Sequence, residues 1–167
     1  MAFWEKFKKQ TEESNQSELY YELKSELPDL EEAELIKIAC VSGLMARVAY
    51  VDFKLKSSEL VHIGAVLRQW TDFDEQTVDK ISQVAVSHIK ELAGLENHLY
   101  VYPLRDVLDR ESRFKVIEAL FALAAADGSV ENIESEEIRM ISKGLELSDK
   151  HFAVARAKVA EHIAALR

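Results

Sequence analysis

The strongest constraint on this chain is a segment that occurs twice. Leu44-Met-Ala-Arg-Val-Ala-Tyr-Val-Asp52 reads as a diverged copy of Ala119-Leu-Phe-Ala-Leu-Ala-Ala-Ala-Asp127. In each copy an apolar run at helical spacing stops on an aspartate, and a short turn, a serine and a second helix with acidic residues follow. Aligning Asp52 with Asp127 pairs Met45 with Leu120, Val48 with Leu123 and Ala49 with Ala124. Past a three-residue insertion in the second copy, Ser57 pairs with Ser135, Glu59 with Glu137, Leu60 with Ile138 and Ile63 with Ile141. Two copies predict a closed domain, because a solenoid needs about three units or more. The expected fold class is all-α: a single domain of about seven to nine helices, with two helix-turn-helix repeats in a pseudo-twofold arrangement. Repeat 1 spans about 36–92 and repeat 2 about 111–167, after an N-terminal segment over 1–28 that carries a short helix.

Composition agrees with helices. Glycine (5) and proline (2) are scarce among 167 residues, and few breakers leave long helices uninterrupted. A net charge of −9 excludes a non-specific nucleic-acid binder, which needs clustered Lys and Arg for the phosphates. It admits cations and basic partner surfaces. Cys40 is the one cysteine, so no intrachain disulfide forms, and its apolar helical setting reads as a buried, inert thiol. The start, Met1 to Lys9, lacks the apolar core of a signal peptide, and the longest apolar run, Ala119 to Ala126, is far short of the ~20 residues of a membrane helix. The expectation is a soluble, cytoplasmic protein.

Along the chain, Ser17 caps a short helix that Pro28 stops. Asp29 opens a long helix to about Val51, with Leu35, Ile38, Val41, Leu44, Met45 and Val48 inward and Ala39, Ser42, Gly43, Ala46 and Ala49 allowing close approach. Ser57 caps a helix over about 58–70, and Asp72 or Asp74 caps one from Glu75 to about Leu92, which Gly94 ends. Leu99 to Leu104, with Pro103, reads as a connector into a small helix through Leu108. Arg110 or Glu111 begins the second long helix, with Phe114, Ile117, Leu120, Phe121 and Leu123 or Ala124 inward. Ser135 caps a helix ended by Gly144, and Ser148-Asp149 caps the last.

Ala124-Ala-Ala-Asp-Gly-Ser-Val130, followed by Ser135-Glu-Glu-Ile138, resembles the signature of the TerB-like tellurite-resistance family. The resemblance covers about Ile36 to Lys158. It implies an all-helical, internally duplicated fold and a role in bacterial stress and tellurite resistance, with an acidic surface that holds a metal ion and no reaction. Other tellurite-resistance proteins are the implied partners. The first copy departs from the pattern, with Asp52-Phe53-Lys54 where the family favours Asp-Gly, and the insertion leaves Glu134 and Glu137 as alternatives for the second copy's glutamate.

The chemistry open to such a chain is binding. Asp52 with Glu59, and Asp127 with Glu134 or Glu137, flank the two turns. Elbows facing each other would gather carboxylates for a hard divalent cation of the Ca²⁺ or Mg²⁺ type. The competing reading is structural: Asp shapes the turn, Gly128 supplies a positive φ, and Glu136 and Glu137 favour a helix N-terminus. An EF-hand does not fit, because the sixth and twelfth positions counted from Asp127 are Asn132 and Ile138. No two of the five histidines lie three or four residues apart, so zinc is not expected, and no nucleophile signature appears. Enzymatic activity is therefore not expected. Phe3, Trp4 and Phe7 beside Lys6, Lys8 and Lys9 have the look of a short interfacial membrane anchor, although packing on the domain or in a homodimer explains them as well. A structural adaptor that binds protein partners and no metal is the alternative function.

Overall fold

In a computed structural model the described residues are 18–49, 73–87, 98–125 and 130–166. They form seven helices, and no strand occurs among them: α1 (Glu18–Glu26), α2 (Glu32–Ala49), α3 (Glu75–Ser87), α4 (His98–Val107), α5 (Arg110–Ala124), α6 (Asn132–Gly144) and α7 (Asp149–Leu166). The all-α expectation holds. The expected helix over 58–70, its cap Ser57, the N-terminal aromatic cluster, Gly94 and Gly128 lie outside the described residues. The pairing of the two repeats in space therefore rests on the sequence alignment.

The core is organised around α2. Leu35, Ile38, Ala39, Cys40, Val41, Ser42, Leu44, Met45, Ala46, Val48 and Ala49 are all buried. A helix that is apolar all round has to be enclosed, and α2 packs against α3, α4, α5 and α6. Its small residues permit this, most clearly at Gly43. Tyr100 of α4 is fully buried, and its ring fills the space that a Cβ at position 43 would take. The second long helix, α5, buries Val116, Ile117, Leu120, Phe121, Leu123 and Ala124 and packs on α2, α6 and α7. Phe114 is half-buried at its edge, beneath His151 at a ring separation of 5.7 Å. Phe121 meets Phe152 of α7 at 5.4 Å in a tilted arrangement suited to the ring quadrupoles.

Three local expectations need correction. Leu99 to Leu104 is helical rather than a connector, because Tyr100, Val101 and Leu104 recur at helical spacing and are all buried. Their burial outweighs the ~3 kcal/mol that Pro103 costs a helix interior. The first long helix begins at Glu32, not at Asp29, since residues 28–30 turn, with Leu30 N–H donating to the Leu27 carbonyl at 3.2 Å. The helix assigned to a Ser135 cap begins three residues earlier, at Asn132, with Glu131 as its N-cap.

Gly144 ends α6, as its place in the sequence predicts. It is the last helical residue of α6, and the left-handed position falls on Glu146, with φ 58°. Glu146 N–H donates to the Lys143 carbonyl (3.0 Å) and Leu147 N–H to the Ser142 carbonyl (3.1 Å), the paired bonds of a Schellman motif. Gly144 is small because Val101 of α4 lies over it; a Cβ there would come within 2.7 Å of Val101 Cγ1. Glu146→Gly is expected to stabilise the fold by about 0.5 kcal/mol: ~1 kcal/mol of left-handed strain relieved, less the extra freedom that glycine gives the unfolded chain. A higher urea midpoint at unchanged slope would register this, and an unchanged midpoint would refute it.

The caps at Asp74 and Ser148 match expectation, and Asp109 adds a third. Thr77 N–H donates to Asp74 Oδ1 (2.7 Å) and Ser112 N–H to Asp109 Oδ1 (2.8 Å). These backbone bonds hold both carboxyls below their ordinary range. Both folded values are depressed, so the stability these caps contribute is whole above the unfolded pKa of ~3.9 and is lost as the pH falls through the folded values. Asp109→Asn keeps a capping oxygen but cannot titrate. Its melting temperature is expected to fall less steeply than that of the parent between about pH 4 and pH 2, and identical acid profiles would exclude this contribution.

Candidate functional site

The N-terminus of α6 is where the sequence places the second copy's glutamate, and its geometry follows from an unusual cap. Glu131 is extended (φ −73°, ψ 153°), and Glu134, three residues on, turns its Oε1 back to accept the Glu131 N–H at 3.0 Å. This is a capping box with glutamate in place of the usual serine or threonine. Glu134 is 3% exposed. The bond satisfies one of the four donors that a helix start leaves over.

Glu137 lies one turn further along α6 and faces α2. Its Oε1 accepts Arg47 Nε at 2.8 Å, with the two side chains 9% and 23% exposed. The residues are 90 apart in sequence. A carboxylate this enclosed needs a counter-charge, and a guanidinium with directed N–H groups supplies one. Arg47 is also close enough to Tyr100 of α4 to act on its phenol. Burial pushes that phenol well above its ordinary pKa, the neighbouring Cys40 adds to the rise, and Arg47 opposes it. Arg47 therefore stands where α2, α4 and α6 converge. Cys40 is buried, and desolvation raises its thiol pKa, the property of an inert packing cysteine as the sequence suggested.

Of the five candidate ligands, the structure describes Glu134 and Glu137, which share α6 but have separate attachments. Asp52, Glu59 and Asp127 lie outside the described residues. Among the described residues no group of three or more His, Cys, Asp and Glu side chains could hold a metal ion. Glu134 and Glu137 each give one carboxylate oxygen, Oε1, to a protein donor. Sequence reasoning missed Arg47 as a functional neighbour. The available signal was a lone arginine set in the apolar run from Leu44 to Val51. Its partner, 90 residues away, leaves no local trace.

Other polar groups serve packing. Ser148 caps α7 by accepting the His151 N–H, while His151 Nδ1 lies 2.7 Å from Ser148 Oγ. Arg113 donates to the Leu145 carbonyl at 2.6 Å, and Lys158 to Glu118 at 3.0 Å. Large apolar side chains remain on the surface at Tyr102, Val107, Ile133, Met140 and Val154. No helix among the described residues is long and apolar enough to cross a membrane.

Comparison with known families gives a match over most of the chain. The profile of the family described as "Tellurite resistance protein TerB" matches residues 37–157. No curated protein and no solved structure matches the chain.

Proposed function

Because the chain belongs to the tellurite resistance protein TerB family, we propose that it is a non-catalytic tellurite-resistance module of the bacterial stress response that works by binding a divalent cation at its elbows. The donors in this reading are Asp52, Glu59 and Asp127, with Glu134 and Glu137 as supports. What supports it is the family match over residues 37–157 together with the aspartate that the sequence places at each elbow, while Glu137 and Glu134 each give one oxygen to a protein donor. Three carboxylates with water and backbone carbonyls meet the needs of a hard, oxygen-seeking ion such as Ca²⁺ or Mg²⁺. Protein partners, among them other tellurite-resistance proteins, would respond to the ion-loaded form in the cytoplasm.

A second reading, the metal-free adaptor, is favoured by the exposed Tyr102, Val107, Ile133, Met140 and Val154, side chains of the kind that docking surfaces use. Thermal melts with Ca²⁺, Mg²⁺ or Mn²⁺ separate the two. An ion that binds only the folded chain stabilises it by ~2.7 kcal/mol at one hundred times its Kd. An upward melting shift that Asp127→Ala abolishes and Glu134→Gln leaves intact is the expected result. No shift for the parent at millimolar metal would leave the adaptor. A shift that survives Asp127→Ala would place the ion elsewhere.

A further inference from the structure

We propose that the Arg47–Glu137 ion pair is a one-sided clasp between the two repeats, holding the last turn of α2, five residues before Asp52, in a single register on α6. The inference does not depend on the cation reading. Its first support is placement. Arg47 lies in the final turn of α2, the helix on which α3, α4, α5 and α6 all pack, and Glu137 lies on the inward face of α6 beside the buried Ile138.

The second support is chemistry. Both helices bury aliphatic side chains, among them Val48 and Ala49 on α2 and Ile138 and Ile141 on α6, and aliphatic surfaces slide past one another at little cost. A directed 2.8 Å bond from Nε to one carboxylate oxygen has one good geometry and penalises the alternatives. Enclosed ion pairs are seldom more stabilising than apolar residues of the same volume, and their best-attested use is to specify register.

The third support is asymmetry. The repeat alignment that pairs Asp52 with Asp127 sets Arg47 opposite Ala122, and Glu137 opposite Glu59. Ala122 is exposed and has no donor, so the second copy cannot return the bond to Glu59. The repeat alignment thus has a guanidinium at one of two equivalent positions.

The test uses the full chain with the double variant Arg47→Met/Glu137→Met and the reversed pair Arg47→Glu/Glu137→Arg, read by melting temperature and by native-state amide exchange. The apolar double variant should melt within about 3 °C of the parent. Its exchange at 45–49 and 134–138 should rise about tenfold or more, while 150–160 in α7 stays unchanged. The reversed pair should restore protection at both segments to within about threefold of the parent. Unchanged exchange at both segments in the apolar variant would overturn the clasp. So would a large melting loss with exchange raised equally in every helix, since the pair would then serve general stability rather than register.

Discussion

Gly43→Ala is expected to destabilise the protein by about 2–3 kcal/mol, a fall in melting temperature of roughly 5–10 °C for a chain of this size. The direction is opposite to the usual rule. In an exposed helix interior, replacing glycine with alanine gains ~1 kcal/mol of helix propensity. Here the added methyl would overlap the Tyr100 ring, 2.6 Å from its Cδ1. The ring is fully buried, so it has no free side into which to turn, and α4 would have to move off α2. Overpacking of a dense core costs more than propensity returns. Pairing Gly43→Ala with Tyr100→Leu should recover part of the loss by vacating the overlapped volume, so the double variant should be more stable than the sum of the single effects. Denaturant melts of the four proteins decide the matter. A Gly43→Ala variant as stable as the parent would mean that α4 does not approach α2 this closely.

Arg47→Ala is expected to cost about 2–3 kcal/mol at neutral pH. Removing one partner of a fully enclosed pair costs ~3–5 kcal/mol, and the lower figure reflects the 23% exposure that Arg47 retains. The loss comes chiefly from the Glu137 carboxylate, left 9% exposed with its counter-charge gone. Removing both partners with Arg47→Met/Glu137→Met should be milder than either single change. An Arg47→Ala deficit that Glu137→Met does not relieve would show that lost packing of the arginine stem, rather than the stranded carboxylate, sets the cost.

Much of this architecture was legible in the sequence because its signals are local. The apolar spacing of α2 and α5, the cap at Asp74 and the start of α7 at Ser148 are all written within a few residues of where they act. Where local signals compete, the reading fails for identifiable reasons. Pro103 and the neighbouring aromatics disguised α4, whose helix is maintained by what it packs against. Ser135 is a better intrinsic cap than Glu131, but Glu134 three residues after Glu131 completes a box that serine at 135 does not offer. Glycine at 144 marked the helix end, but the contact with Val101 that requires its small size and the left-handed turn at Glu146 leave no local signal. The candidate site was legible as a list of carboxylates and not as an arrangement. Glu137 stands in sequence beside other acids, and nothing near it announces an arginine from the opposite half of the chain. The family match over 37–157 agrees with the resemblance carried by Ala124 to Val130 and Ser135 to Ile138.

The enclosure of α2 has a kinetic consequence. Its sulfur, at Cys40, is buried near Tyr100 of α4, so a thiol reagent reaches it only after the packing around it opens. The rate at which a maleimide or disulfide reagent modifies this lone sulfur is then a clock for the largest opening the native molecule makes. Nature has placed a single-site probe of whole-domain opening at its centre.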